Sequence, residues 1–390
     1  MAYVPGRLCG MELGIAWPVS PMLAKAVAEV PDPDGKGGPY AYEPKWDGFR
    51  CIVARDGDEV ELGSRGEKPL TRYFPEVVEA VRRLLPERIV VDVELVVRAG
   101  ERGAQRLDWE ALAQRIHPAE SRIKRLAAET PAEIVAFDLL AIDGESLMDT
   151  PFRERRARLE KELAHLSAGD PVHLTRITTD VTEAREWFET FEGAGLDGVV
   201  AKPLDASYQP AKRAMLKIKH HRTADVVVYG YRVHKSGEGV GSLLLAVYGE
   251  LPSWAEGQSR GAPEGWLGLD PDAPEGLALI PVGGIVSLPD AMRRALVTEL
   301  EPLTTRDDAG ELVRMGGAPS RFAVAGKDSS FVPLRPDLVV EVAFDQLEGH
   351  RFRHAVSLVR WRPDREPRSC RIDQIDRASA YDLGQVLVTG

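Results

Sequence analysis

Two charged side chains occupy one face of each of three short strand-like segments, and this pattern limits how the chain can fold. Side chains along a β-strand alternate between the two faces of its sheet. The segment IVVDVELVV therefore places Asp92 and Glu94 together on one face and apolar residues on the other. Such a strand needs an apolar core on one side and a polar environment on the other.

The same alternation pairs lysines in a second segment and a lysine with a carboxylate in a third. Lys217 and Lys219 share a face in MLKIK, and Glu43 shares a face with Lys45 in YEPKW. A solvated outer face explains any one of these segments, but three of them together favour a polar groove. A groove lined by lysines and carboxylates suits a nucleoside triphosphate with a divalent metal.

Short Val- and Ile-rich runs alternate with helical segments between residues 40 and 230. The runs predict strands at 89–97, 134–142, 197–202, 215–219 and 225–231, and apolar spacing predicts helices at 72–85, 152–166 and 180–195. Asp180 or Thr182 is the predicted cap of the last helix. Residues 1–220 are therefore predicted to form an α+β domain with many strands.

The pattern changes beyond about residue 222, where strand-like segments are separated by Gly- and Pro-containing turns. Five strands and one helix, DAMRRALVTELEPL, are typical of a small OB-type barrel, which we place at 221–390. The segment HHRT at 220–223 is the predicted hinge between the domains. The Pro/Gly-rich stretch 252–276 is predicted to be a long exposed loop or insertion.

Composition sets outer limits on the class of protein. The 390 residues are 44% hydrophobic and 28% charged, which is ordinary for a globular protein of two domains. No run reaches the roughly 18 apolar residues of a membrane helix, so we expect no membrane partner. Three cysteines without metal-type spacing suggest a reducing compartment, and we expect the cytoplasm.

The net charge and the local charge of the chain give opposite indications about a nucleic-acid partner. The net charge of −11 argues against a nucleic-acid partner. Two stretches, 205–225 and 350–372, are nevertheless rich in Lys and Arg, and local charge matters more than the total. Basic runs can also be ordinary solvated faces.

The segment KWDG at Lys45–Gly48 matches the K-x-D-G motif of the covalent nucleotidyltransferases, which include ATP-dependent DNA ligases, RNA ligases and mRNA capping enzymes. Six more segments resemble the later motifs of these enzymes and follow in their order: SRGE, VDVELV, AFDLL, LDGVVAKP, MLKIK and RWRPDR. The set covers residues 43–365. The chain resembles the bacterial C-type ATP-dependent DNA ligases over nearly its whole length, and also the ligase module of bacterial end-joining ligases.

This resemblance implies both a fold and a function. The fold is an adenylation (nucleotidyltransferase, ATP-grasp-like) domain with antiparallel sheets and helices at 1–220, followed by an OB-fold β-barrel at 221–390. The function is an ATP-dependent DNA ligase that uses Mg²⁺ or Mn²⁺ and seals nicked or gapped double-stranded DNA. Only about 40 residues precede the motif lysine, so no additional N-terminal DNA-clamping domain is expected. We therefore expect a monomer acting in repair, with a repair polymerase as a candidate partner.

The resemblance also assigns Lys45 as the nucleophile that attacks the α-phosphate of ATP and becomes lysyl-AMP. A lysine amine in water has a pKa near 10.4, so holding it neutral at pH 7 costs about 4.6 kcal/mol. Lys217, Lys219 and a bound metal are cations that would reduce this cost.

The other expected roles also come from the resemblance. Glu94 and Asp197 are expected metal or ribose ligands, and Phe137 is expected to stack on adenine while Glu43 accepts from its amino group. The remaining expected contacts are Arg50 and Arg65 near the ribose and nick 5′-phosphate, and Arg360, Arg362, Asp364 and Arg365 at the β- and γ-phosphates. Two residues depart from the family pattern: Asp197 stands where most relatives have Glu, and Arg365 stands where they have Lys.

Two alternative functions remain open at this point. One is an RNA ligase or an mRNA-capping-type nucleotidyltransferase that uses the same lysine. The other is a non-catalytic OB-type nucleic-acid-binding protein. The role of Arg115 is also open, because this residue can be a DNA contact or a structural residue. The glycine-rich segment 234–242 is predicted to approach the DNA backbone, or to be a plain turn.

Overall fold

The computed structural model describes residues 11–35, 37–116, 119–220, 222–250, 277–316, 330–348, 350–375 and 379–387. These residues form two compact units. The first holds the described residues up to position 219 together with the C-terminal segment 379–387, and the second holds those from 220 to 375. The predicted loop at 252–276 lies outside the described residues.

The described strands and helices are numbered in chain order. The strands are β1 (Leu23–Val27), β2 (Tyr40–Pro44), β3 (Phe49–Asp56), β4 (Glu59–Ser64), β5 (Arg88–Ala99), β6 (Arg106–Leu107), β7 (Ala132–Ile142), β8 (Glu145–Ser146), β9 (Val172–Leu174), β10 (Val199–Pro203), β11 (Arg213–Ile218), β12 (Arg222–Val233), β13 (Val240–Glu250), β14 (Leu277–Ile285), β15 (Val332–Phe344), β16 (Leu347–Glu348), β17 (Arg351–Phe352) and β18 (Ser357–Trp361). The helices are α1 (Pro75–Leu84), α2 (Trp109–Gln114), α3 (Glu120–Glu129), α4 (Phe152–Leu163), α5 (Val181–Thr190), α6 (Asp290–Leu300) and α7 (Leu383–Val386). Within the part of the chain that the structure describes, no helix is long and apolar enough to cross a membrane.

Two sheets build the first unit. The larger has the order β4-β3-β5-β7-β8, with β6 added beside β5 and β9 beside β7. The smaller has the order β1-β11-β10-β2. Both are mainly antiparallel, with parallel pairing at β1–β11 and β7–β9. The predicted α+β class with antiparallel sheets is confirmed.

Strand β5 is buried on both faces, although a polar face was expected on one side. Val91 and Val93 pack in the same apolar cluster as Val77 and Val81 of α1. The opposite face carries Asp92, which is fully buried rather than solvated. A carboxylate in such a position needs charged or hydrogen-bonding partners, and they are described with the site below.

The C-terminal segment corrects the expected domain boundary at its far end. The sequence assigned all of 221–390 to the second domain, but residues 379–387 pack on the first unit. Leu383 and Val386 are buried in a cluster that contains Trp187 of α5. Asp382 also accepts a hydrogen bond from the Gln105 backbone at 2.8 Å. Burial of these apolar side chains explains why the segment returns to the first unit.

The start of α5 is capped by one of the two predicted residues. The Asp180 carboxylate accepts a hydrogen bond from the Thr182 backbone at 2.8 Å. This contact satisfies one of the amide groups that a helix N-terminus leaves without an intrahelical partner.

The second unit contains a five-stranded antiparallel sheet with the order β14-β13-β12-β15-β18. Helix α6 follows β14 and buries Leu296 and Leu300 in the core of this unit. The backbone amide of Val356, next to β18, donates to the carbonyl of Gly284 on β14 at 3.3 Å. The two edge strands of the sheet, β14 and β18, therefore approach each other. Five strands and one helix arranged in this way support the predicted OB-type barrel.

Arg115 is a structural residue, and of its two predicted roles the DNA contact is not supported. Its guanidinium is fully buried and donates to the Glu76 carboxylate at 2.9 Å. It also donates to the carbonyls of Thr130 and Tyr73 at 2.9 and 3.0 Å. A side chain held in this way cannot reach DNA, and its charge instead joins α1 to the turns around it.

Arg115→Met is therefore expected to lower the free energy of unfolding by about 3 kcal/mol, because the change leaves Glu76 without its buried partner. Denaturant unfolding measures this loss, and a filter-binding titration with nicked DNA should show unchanged affinity. The matched control is Arg83→Met, which removes an exposed arginine from α1. Weaker DNA binding by the folded Arg115 variant would contradict the structural role.

Candidate active site

Lys45 lies immediately after β2, at the start of the turn that leads into β3. Its backbone amide donates to the carbonyl of Gly198 at 2.8 Å, and its carbonyl accepts from the Asp197 amide at 2.9 Å. These two bonds fix the lysine against the residues that precede β10. Glu43 and Lys45, which the sequence placed on one strand face, have different partners: Glu43 contacts Lys202, and Lys45 contacts Asp197.

Two lysines share the carboxylate of Asp197. Its Oδ2 atom lies 2.7 Å from Lys45 Nζ and 2.6 Å from Lys219 Nζ. Burial favours a higher pKa for Asp197, but the two lysines outweigh burial and lower that pKa. The pKa of Lys217 is lowered by burial and by the nearby charges of Lys219 and Lys45. The three predicted lysines and Asp197 therefore form one cluster.

Glu94 lies beside the turn that carries the lysine. Its Oε1 atom accepts a hydrogen bond from the Gly48 amide at 3.0 Å. Burial raises the pKa of Glu94 to about 7, although Arg50 and Lys45 oppose the rise. A Cβ added at Gly48 would overlap the carbonyl oxygen of Leu95 on β5, so the turn can approach β5 only with glycine at this position.

Gly48→Ala is expected to lower the free energy of unfolding by about 2 kcal/mol, because the backbone of β5 must move to admit the methyl group. Lys45 moves with the turn, so the rate of label transfer from ATP should fall about 100-fold. Thermal unfolding and a labelling time course measure the two effects. Gly169→Ala is the control, because a Cβ there meets nothing within 4 Å. Equal behaviour of the two variants would refute the proposed packing constraint.

Arg50 is held by a buried carboxylate and covers an aromatic ring. Its Nε and Nη2 atoms each lie 2.6 Å from one oxygen of Asp92. Tyr208 donates to Asp92 Oδ2 at 2.6 Å, and the Tyr208 hydroxyl accepts from the Met22 amide at 2.9 Å. The guanidinium carbon of Arg50 lies 4.5 Å from the ring centroid of Phe137. Two predicted site residues, Arg50 and Phe137, are thus in contact.

Glu43 is buried and faces two cations. Its Oε2 atom lies 2.7 Å from Lys202 Nζ, and its Oε1 atom lies 3.8 Å from Arg156 Nη1. Burial raises the pKa of Glu43, and Lys202 and Arg156 oppose that rise. Among the described residues, none donates a hydrogen bond to Glu43 Oε1. This oxygen therefore has unused capacity to accept a hydrogen bond.

The remaining predicted site residues lie near the end of β4 and in the second unit. Arg65 is exposed just after β4, and its charge contributes to lowering the pKa of Lys217. The RWRPDR residues lie in the second unit, where Arg362 donates to Asp225 at 2.9 Å and to Asp364 at 2.8 Å.

Two neighbours of Arg362 have partners of their own within the second unit. Arg365 donates to Gln374 at 2.9 Å, and Arg360 donates to Glu341 at 2.6 Å. Hydrogen bonding by Arg362 lowers the pKa of Asp364 to about 2. The segment therefore presents an ordered group of arginines.

Sequence reasoning overlooked Lys202, Arg156 and Tyr208. Lys202 is the next-to-last residue of the LDGVVAKP segment, so the motif contained a signal for it. Tyr208 reaches Asp92 across 116 positions of sequence, and spacing along the chain predicts no such contact.

Glu94 and Asp197 are the carboxylates available beside Lys45 for a divalent metal. The described ranges contain no group of three His, Cys, Asp or Glu residues placed to bind a metal on their own. Mg²⁺ commonly binds through one or two protein carboxylates and the phosphates of its substrate. The donor set therefore fits a metal that arrives with a nucleotide.

Comparisons with known proteins identify the family of the chain. Residues 21–219 match the model of the family described as ATP dependent DNA ligase domain. The chain is 50% identical to DNA ligase C of Mycobacterium tuberculosis (strain ATCC 25618 / H37Rv), over 97% of this chain and 99% of that protein. It is also 50% identical to DNA ligase C2 of Mycolicibacterium smegmatis (strain ATCC 700084 / mc(2)155), over 94% and 96%.

A solved structure, Pmar-Lig_PreS3, is similar in fold, with a TM-score of 0.51 and 14% identity over 86% of this chain and 68% of that one. The family model and the relatives show that the chain belongs to the ATP-dependent DNA ligase family. It is a DNA ligase, and ATP is its nucleotide substrate. The RNA-ligase, capping and non-catalytic alternatives are therefore set aside.

Proposed function

We propose that Lys45 is the residue adenylylated by ATP and that this enzyme uses lysyl-AMP to seal nicks in duplex DNA. The observation that carries the proposal is the cluster of Lys45, Asp197, Lys217 and Lys219. It places a candidate nucleophile among cations that can neutralise phosphate charge.

The first step forms a bond between Lys45 Nζ and the α-phosphorus of ATP. The bond from that phosphorus to the bridging oxygen breaks, pyrophosphate leaves, and the amine proton passes to water or to the departing pyrophosphate. Asp197 orients the lysine through the 2.7 Å contact. Its lowered pKa makes it a stable carboxylate partner rather than a store for that proton.

The next two steps move the AMP and then release it. The 5′-phosphate at the nick attacks the α-phosphorus of lysyl-AMP, which frees the lysine and forms a DNA-adenylate. The 3′-hydroxyl then attacks the nick phosphorus, AMP leaves, and a phosphodiester bond results. Arg50 and Arg65 are proposed to bind the ribose and the nick phosphate, because guanidinium groups match phosphate oxygens.

Phe137 and Glu43 are proposed to bind the adenine base. The ring of Phe137 can stack on a purine, and Glu43 Oε1 retains capacity to accept from the amino group. Glu94 and Asp197 would hold Mg²⁺ or Mn²⁺, which supplies charge neutralisation at the triphosphate when bound.

The second unit is proposed to be an OB domain that acts on both substrates. Arg360, Arg362, Asp364 and Arg365 would meet the β- and γ-phosphates during the first step. The chain passes between the units after Lys219, and the segment 220–223 that follows is the proposed hinge. We also propose that the enzyme is a monomer in the cytoplasm. Its proposed role is in DNA repair, with a repair polymerase as partner.

A sealing assay tests this function directly. The substrate is a duplex with one nick that carries a 3′-hydroxyl and a 5′-phosphate, supplied with ATP and Mg²⁺. We expect a joined strand only when both ATP and the 5′-phosphate are present. A matched duplex with a 5′-hydroxyl is the control. Failure to join the phosphorylated nick under these conditions would reject the proposal.

A further inference from the structure

Trp46 is a buried tryptophan that directly follows the proposed nucleophile in the chain. It packs in the same apolar cluster as Val135 and Trp187, with 6% of its surface exposed. Its indole Nε1 atom donates to the hydroxyl of Thr175 at 2.7 Å, across 129 positions of sequence. This hydrogen bond joins the turn that carries Lys45 to a distant part of the first unit.

Thr175 is itself held by two other elements. It follows β9 directly and has 1% of its surface exposed. Its amide donates to the carbonyl of Ala136 on β7 at 2.9 Å. Its carbonyl accepts from Arg156 Nη2 of α4 at 2.7 Å. Because β7 and α4 fix the backbone of Thr175, its hydroxyl is an acceptor at a defined position.

Packing alone does not select one orientation of the Trp46 ring. An apolar cluster stabilises an aromatic ring by burial, and that contribution is largely independent of direction. The indole N–H differs, because a buried donor without an acceptor is costly. The Thr175 hydroxyl therefore stabilises the one orientation of the ring in which the donor is satisfied.

We propose that Thr175 is a positioning residue for Lys45 and acts through the indole of Trp46. The inference rests on the proposed function, in which Lys45 Nζ forms a bond to the α-phosphorus of ATP. Consecutive Cα atoms lie about 3.8 Å apart, so a shift of Trp46 also moves the Lys45 backbone. A displacement of about 1 Å at a reacting group can lower a rate about 100-fold.

The three chemical steps give this role a specific signature. Lys45 is the nucleophile in the first step and the leaving group in the second. It takes no part in the third step, in which the 3′-hydroxyl attacks the nick phosphorus. Loss of the Thr175 hydroxyl should therefore slow the first two steps and leave the third unchanged, whereas a general loss of folded protein slows all three equally.

The test compares two reactions of the full chain carrying Thr175→Val, which removes the hydroxyl. Single-turnover labelling from ATP and Mg²⁺ should be about 10-fold slower than in the wild type. Sealing of a duplex that already carries AMP on the 5′-phosphate at its nick should stay within about twofold. Thr175→Ser restores the hydroxyl and should label within about threefold of the wild type.

Thr190→Val is the matched control, because it removes the hydroxyl of an exposed threonine that bonds only within its own helix, to the Glu186 carbonyl. This variant should match the wild type in both reactions. Thermal unfolding of every variant checks that the compared proteins are folded.

A double-mutant cycle tests whether Thr175 acts through Trp46. Trp46→Phe removes the donor and keeps an aromatic ring in the cluster, and it should slow labelling by a similar factor. Adding Thr175→Val to Trp46→Phe should change the labelling rate by less than about twofold. Trp46→Phe also provides the comparison of the two reactions if Thr175→Val does not fold.

The outcomes that contradict the inference are distinct from failure of the proposed function. Equal slowing of labelling and of sealing would overturn the inference and make Thr175 a structural residue. Wild-type labelling by folded Thr175→Val, or losses that add in the double variant, would overturn it as well. Absence of any labelling of the wild type from ATP would instead reject the proposed function.

Discussion

Lys45→Arg is expected to reduce the transfer of label from ATP to the protein by at least about 1000-fold. Arginine keeps the positive charge that faces Asp197, so the fold should be preserved. Its guanidinium remains protonated at every accessible pH and cannot act as a nucleophile. Single-turnover labelling followed by electrophoresis measures the loss, and circular dichroism checks the fold.

The matched control is Lys25→Arg. Lys25 is an exposed lysine on β1, in the same four-stranded sheet that carries Lys217. This variant should label at the wild-type rate. Peptide mapping of the labelled wild type adds a second check, because the adenylyl group should be found on Lys45. Label on another lysine would contradict the assignment.

Asp197→Asn is expected to reduce the labelling rate about 100-fold, because the change removes the carboxylate that orients Lys45. The neutral amide cannot offset the charges of Lys45 and Lys219, which share one Asp197 oxygen at 2.7 and 2.6 Å. Rate constants over a range of ATP concentrations separate the effects on chemistry and binding. We expect the larger change in the maximal rate.

Asp197→Glu provides the control for charge. It retains the carboxylate with one more methylene. Labelling by this variant should be within about tenfold of the wild type. Equal rates for the Asn variant and the wild type would show that the contact of Asp197 with the lysines has no role in the reaction.

The core of the candidate site could be predicted from sequence because its residues come from short local patterns. Strand alternation placed Lys217 and Lys219 together, and the motif order added Lys45 and Asp197. The structure shows these residues in one cluster. Alternation also placed Glu43 and Lys45 on one face, and the structure gives these two side chains different partners, Lys202 and Asp197.

Contacts that join distant parts of the chain could not be predicted. Glu43 meets Lys202 across the pairing of β2 with β10, and Asp92 meets Tyr208 from outside the neighbouring strands. Alternation indicated that Asp92 lies on a charged face, but it gave no sign that this face is covered. Burial depends on what packs above a strand, and no local pattern contains that information.

In the fold, too, local elements could be predicted from the sequence and contacts between distant segments could not. The five predicted strands between residues 89 and 231 are all present, because each is a short segment with apolar residues in a strand-like pattern. The return of residues 379–387 to the first unit was missed. Leu383 and Val386 are a weak local signal, and their burial beside Trp187 is a tertiary effect.

The most direct test of the central claim is a two-stage labelling experiment. The protein is incubated with Mg²⁺ and ATP labelled at the α-phosphate, freed from excess nucleotide, and then mixed with unlabelled nicked DNA. We predict label on Lys45 in the first stage, followed by its transfer to the 5′-phosphate at the nick and its release as AMP when the strand is sealed. Label that forms on the protein but never moves to nicked DNA, or sealing without any labelled protein, would contradict the account.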